Sequence, residues 1–112
     1  MKLPNAELAF VERQKIVEYL LNREHPDNGG KADFFIDLGF SAEAWETLAQ
    51  ALQRLAVSFP VTRSMESSHG KKYIVEGEIE SPIGKPATVR TVWIVDNGET
   101  IARLVTAYPH EE

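Results

Sequence analysis

The stretch His25-Pro-Asp-Asn-Gly-Gly-Lys31 places an imidazole and a cation on the two sides of a glycine-containing turn. Histidine is the side chain that exchanges protons near neutral pH, so His25 is the natural candidate for proton transfer. The alternative is a histidine at the C-terminal end of a helix, which interacts favourably with the helix dipole and does nothing else. Lys31 is the first of several cations that could face an anionic ligand.

The other candidate cations are Lys72, Arg90 and Arg103, which fall at the start of or inside predicted strands. Arg103 has apolar neighbours along the chain, so it must reach water, pair with a carboxylate, or hold an anion such as a phosphate. An arginine that extends to the sheet edge or pairs with a glutamate is the alternative that requires no ligand.

Four residues with stacking or hydrogen-bonding side chains fall near these charges in the strand sequence: Tyr73, Thr91, Trp93 and Thr106. Trp93 or Tyr73 could stack a nucleic-acid base. Threonine and tryptophan are also ordinary strand residues, and packing is the competing interpretation.

Several kinds of site are not supported by the sequence. The Gly-Gly-Lys at residues 29–31 lacks the upstream glycine and the following serine or threonine of a phosphate loop, and no GxSxG, GxGxxG or HExxH motif occurs. Cysteine is absent. The alternating Glu76, Glu78 and Glu80 could bind a hard cation, but a solvated strand edge or face is the favoured explanation. We therefore expect no metal site and no cofactor.

The elements that position these residues can be read from hydrophobic periodicity. Apolar residues at helical spacing predict a helix over residues 10–22, and Ser41 is a good N-cap for a second amphipathic helix that ends before Phe59. Beyond Pro60, four segments favour strands: residues 61–67, 71–81, 87–95 and 100–108. Asn97-Gly98 is a strong signal for a tight hairpin turn.

This order predicts an α+β domain with two or three N-terminal helices packed on one face of a three- to four-stranded antiparallel meander. We expect residues 1–112 to form a single domain, with a helical part at about 5–57 and a sheet part at about 60–109. The N-terminal segment lacks a long apolar stretch, no run is long enough to span a membrane, and we expect a cytoplasmic protein.

The net charge is −5, whereas generic nucleic-acid binders are usually basic. Binding or cleavage of a nucleic acid would therefore need a local cationic site. Alternatively, the negative surface could bind a basic partner.

Four stretches, "YLLNREHPDNGGKADFF", "GKKYIVEGEI", "VRTVWIVDNG" and "RLVTAYP", resemble a family of small uncharacterised bacterial domains. The resemblance covers residues 3–109 and extends to the HPxxGGKAxFF and RLVTAYP patterns. More distantly, the two helices, the meander and the closing Thr-Ala-Tyr-Pro resemble the barnase/EndoU/colicin/RelE-type ribonuclease toxin fold. Toxins of this kind are often basic, so the charge of this chain is a departure.

The distant resemblance implies an endoribonuclease toxin of a toxin–antitoxin pair that cleaves RNA without a metal. His25, Lys31, Arg103 and Thr106 would then be catalytic, and Lys72, Tyr73, Thr91 and Trp93 would bind substrate. The expected partners are a cognate antitoxin or another small protein, together with RNA. The alternative is a non-catalytic interaction module, such as an antitoxin-like or adaptor domain.

Overall fold

The computed structural model describes residues 1–110 and confirms the expected α+β class. A short 3-10 helix at Ala6–Leu8 precedes helix α1 at Arg13–Lys15, which continues without a break as a π-helical segment at Ile16–Leu20. Helix α2 spans Lys31–Asp37, and helix α3 spans Trp45–Ser58. No helix within residues 1–110 is long and apolar enough to cross a membrane.

Four antiparallel strands follow the helices in one sheet with the order β1-β2-β3-β4. They are β1 at Val61–Ser67, β2 at Gly70–Ile79, β3 at Ala87–Asp96 and β4 at Arg103–Pro109. The ladder between β3 and β4 contains a bulge, because Val92 pairs with Thr106 while the next residue, Trp93, pairs with Leu104. The bulge changes the direction of the β4 side chains next to Thr106.

The core lies between the helices and one face of the sheet. Helix α3 buries Leu48, Leu52, Leu55 and Ala56 along one side, as its apolar spacing predicted. Burial of a leucine side chain stabilises a fold by about 1.5–3 kcal/mol, so this stripe accounts for much of the attachment of α3. Of the two adjacent phenylalanines in α2, Phe35 is fully buried and Phe34 is half-buried.

Two predicted helix starts are wrong. Phe10 lies outside α1 because both of its backbone groups bond to the chain beside β4: its N–H donates to Ala102 O and its carbonyl accepts from Leu104 N–H. Ser41 accepts the Ala44 N–H in a turn that precedes α3, and the helix itself begins at Trp45. The Phe10 bridge covers the outer edge of β4 at its N-terminal end.

Candidate functional site

Tyr19, in the π-helical segment, joins the helical layer to strand β4. Its hydroxyl and the hydroxyl of Thr106 lie 3.0 Å apart, in a hydrogen bond that either atom can donate. Because Thr106 lies beside the bulge, its side chain can reach the phenol while its strand neighbours Leu104 and Ala107 are buried in the core. The two hydroxyls therefore form a polar contact between the π-helical segment and the sheet.

The imidazole of His25 lies next to the same tyrosine. The two rings meet edge to face, with their centroids 5.0 Å apart. Nδ1 of His25 accepts a hydrogen bond from the backbone N–H of Asp27 at 3.1 Å. A neutral imidazole whose Nδ1 is an acceptor carries its proton on Nε2, so this turn leaves a donor on the outer side of the ring.

Two lysines lie over the Tyr19 ring. Nζ of Lys15 is 5.2 Å and Nζ of Lys31 is 5.6 Å from the ring centroid, within the range of cation–π attraction. Lys31 reaches this position because the chain turns sharply at Gly29 and Gly30, which have φ angles of +62° and +88° that other residues rarely adopt. Of the four predicted catalytic residues, His25, Lys31 and Thr106 are therefore brought together around Tyr19.

Two depressions adjoin this cluster. The larger has a volume of about 550 Å³, and Tyr19 and His25 line it together with Glu12, Gln14, Lys15, Glu18 and Asn22. The smaller has a volume of about 400 Å³ and is lined by Gly29, Gly30, Lys31, Tyr108 and Pro109. Both are open to solvent; the surface of the larger is mostly polar, and that of the smaller is mostly apolar. The cluster can therefore be reached by a large ligand and offers both cations and hydrogen-bond donors.

Arg103 does not join the cluster, because its guanidinium is engaged by a carboxylate. Nε and Nη2 of Arg103 donate to the two oxygens of Asp96 at 2.7 and 3.1 Å. The hydrogen bond from Arg103 holds the pKa of Asp96 below its usual value, and the bond to Asp96 in turn raises the pKa of Arg103. In the same way, Arg90 pairs with Glu76. Arg103 thus has the carboxylate partner that was the alternative to an anionic ligand.

The four residues predicted to bind substrate lie on the two faces of the sheet. Trp93 and Thr91 have no exposed surface: Nε1 of Trp93 donates to Oγ1 of Thr91, which donates to Val75 O. Tyr73 is 6% exposed, and its ring packs in the core below Nζ of Lys71. In this arrangement, neither Trp93 nor Tyr73 presents an open ring face to a base. Lys72 is half-buried on β2, opposite Ile94.

Lys15 and Tyr19 were not singled out from the sequence. They are four residues apart, which is the spacing that brings side chains to one face of a helix, so the pair was detectable as a cation above an aromatic ring. The partnership of Tyr19 with Thr106 had no such local signal. Within residues 1–110, no three carboxylate or imidazole side chains are grouped as metal ligands would be.

Comparison with known proteins supports the fold and identifies the family. The chain is similar to a chain in a solved contact-dependent growth inhibition toxin–immunity protein complex from Klebsiella pneumoniae 342. The TM-score is 0.72 at 17% identity, and the alignment covers 96% of this chain and 97% of the other. No curated protein matches. The sequence model described as "Domain of unknown function (DUF6883)" matches residues 2–111, so the chain belongs to the DUF6883 family.

Proposed function

We propose that this protein is an endoribonuclease toxin that cleaves RNA without a metal, with its active site at the Tyr19 cluster. The observation that supports this is the convergence of His25 and Lys31, from one turn, with Thr106, which is far along the chain, around one tyrosine beside an open groove. Two lysines can stabilise the charge on the phosphate oxygens when no metal does so, a histidine N–H can bond to the leaving group, and a nearby carboxylate can accept a proton.

In the proposed reaction, the ribose 2′-oxygen attacks the adjacent phosphorus, a new P–O2′ bond forms, and the P–O5′ bond breaks. Nζ of Lys15 and Lys31 stabilise the charge that develops on the phosphate oxygens. Nε2–H of His25 donates a hydrogen bond to the leaving 5′-oxygen, which takes the proton it needs from the ammonium group of Lys31. The 2′-hydroxyl proton passes to a carboxylate of the groove wall, where Glu12 and Glu18 are exposed.

The solved complex with a similar chain pairs a growth-inhibition toxin with an immunity protein. We extend this pairing to the present chain: a small protein partner would bind it and inhibit its nuclease activity until the partner dissociates. Such a partner would also explain how a cell tolerates an enzyme with an open, solvent-accessible site.

Purified protein incubated with total RNA in the presence of EDTA tests the proposal. We expect cleavage products with 2′,3′-cyclic phosphate ends. Lys31→Gln should lower the cleavage rate by about 100-fold, the effect of removing one donor that stabilises a transition-state charge. Lys85→Gln is the matched control, because Lys85 is exposed in the turn between β2 and β3. Intact RNA with the wild-type protein, or equal rates for the two variants, would contradict the proposal.

The net charge of −5 favours a second candidate, the immunity-like member of such a pair. An acidic protein of this size could cover the cationic active site of a nuclease through charge complementarity. This candidate predicts no RNA cleavage and no growth arrest on expression. It also predicts that the chain protects cells from a neighbouring toxin, which co-expression would measure directly.

A further inference from the structure

Asn28 is a buried polar residue in the middle of an otherwise exposed turn. Its side chain is 3% exposed, while Pro26, Asp27, Gly29 and Gly30 around it all face solvent. Burial of an amide is unfavourable unless its donors and acceptor are all satisfied, so a buried asparagine at this point needs a specific reason.

The side-chain amide of Asn28 connects the end of one helix to the beginning of the next. Nδ2 donates to the carbonyl of Tyr19 at 2.6 Å and, more weakly, to the carbonyl of Leu20 at 3.4 Å. Oδ1 accepts the N–H of Ala32 in the first turn of α2 at 2.8 Å. These groups lie at helix ends, where the regular backbone bonding pattern stops, and the Tyr19 carbonyl also accepts the N–H of Asn22 at 3.2 Å. One side chain thus caps two helices and fixes the distance between them.

The backbone of Asn28 bonds to two further members of the cluster, His25 and Lys31. Its N–H donates to the carbonyl of His25 at 3.0 Å. Its carbonyl accepts both the backbone N–H and Nζ of Lys31, each at 3.1 Å. All the hydrogen-bonding groups of Asn28 are therefore used, and they bond to Tyr19, His25 and Lys31.

We infer that Asn28 is a positioning residue, which holds Tyr19, His25 and Lys31 in the relative arrangement that the proposed reaction needs. This inference rests on the proposed function for its catalytic meaning. The amide suits this position because it donates to the carbonyls of Tyr19 and Leu20 while it accepts the N–H of Ala32. Among side chains of this length, the amide of asparagine offers both, whereas aspartate offers acceptors alone.

Asn28→Asp tests the inference because it keeps the shape and the acceptor but removes the donor. We expect kcat for RNA cleavage to fall by about 100-fold, as a misplacement of about 1 Å can cause, with a smaller change in KM. The imidazole ¹⁵N signals of His25 should also change from the Nε2–H tautomer towards a mixture. Asn97→Asp is the matched control, because Nδ2 of Asn97 likewise donates to a backbone carbonyl, that of Ser68, in another turn.

Thermal melts establish that each variant is folded. Asn28→Ser, which retains a hydroxyl for the Ala32 N–H, replaces Asn28→Asp if the latter does not fold. Unchanged kcat would overturn the inference, and so would a fall in kcat with unchanged His25 signals, which indicates a purely structural effect. If the wild-type protein cleaves no RNA, the proposed function is wrong. The His25 signals alone then decide whether Asn28 positions the imidazole: a change in Asn28→Asp supports the role, and unchanged signals contradict it.

Discussion

The hydrogen bond between Tyr19 and Thr106 can be tested by a double-mutant cycle. Tyr19→Phe removes the phenol oxygen but keeps the ring under Lys15 and Lys31, and Thr106→Val removes the hydroxyl with little change in shape. The bond is 3.0 Å long and partly buried. Bonds of this kind contribute a net stabilisation of about 0.5–1.5 kcal/mol.

This free energy converts into a measurable shift in Tm. For a chain of 112 residues, the entropy of unfolding is about 0.24 kcal/mol/K, so a change of 1 kcal/mol corresponds to a shift of about 4 °C in Tm. Each single variant should therefore melt about 2–6 °C below the wild type. The double variant should melt close to the single variants, because both substitutions remove the same interaction.

Calorimetry or circular dichroism at neutral pH measures all four proteins. A coupling free energy of about 0.5 kcal/mol or more between the two positions would support the bond. Strictly additive losses would show that the two hydroxyls do not interact, and the link from the π-helical segment to β4 on which the candidate site depends would be refuted. Thr91→Val in the core is the control, since its hydroxyl bonds to Trp93 and Val75 and should not couple to Tyr19.

Two further predictions concern the sheet. Because Arg103 lowers the pKa of Asp96, the pair stabilises the fold above the ordinary carboxyl pKa and loses this effect as the pH falls through the lowered value. The difference in Tm between wild type and Asp96→Asn should therefore shrink as the pH of the thermal melts is lowered from about 7 to about 3. A constant difference would contradict the stabilising effect of the Arg103–Asp96 pair. In Gly77→Ala, the new Cβ would lie 2.5 Å from Cδ2 of Phe59. We expect a loss of about 1–3 kcal/mol, partly restored by Phe59→Leu, in urea unfolding; equal stability would show that Phe59 moves freely.

The sheet was predictable because its signals are local. Alternating hydrophobicity along β2, the β-branched residues of β3 and Asn97-Gly98 as a turn predict the strands and their antiparallel order. The carboxylate partner of Arg103 could also have been predicted from the sequence. The hairpin register places Arg103 opposite Ile94, so Asp96 is its diagonal neighbour and lies within reach of an arginine.

The candidate site was only partly predictable because its contacts are not local. His25 and Lys31 stand out by residue type. From the sequence, Tyr19 is an ordinary aromatic residue of a helix. Its role depends on the contact of its hydroxyl with Thr106, which is 87 positions away and has no local sequence signal. The core location of Thr91 and Trp93 follows from the period-two pattern that they share with Val89, but assigning that face to the core requires knowing where the helices pack.

The acidic net charge and the cationic cluster are compatible on physical grounds. At physiological ionic strength the Debye length is about 8 Å, so carboxylates farther away contribute little at the Tyr19 ring, where Lys15 and Lys31 lie 5.2 and 5.6 Å from its centroid. Glu12 and Glu18, however, line the groove beside Lys15, and their carboxylates repel a phosphate that lies away from the two lysines. For the proposed nuclease, this favours one well-placed phosphate over a long run of backbone contacts, and hence a defined target over RNA in general.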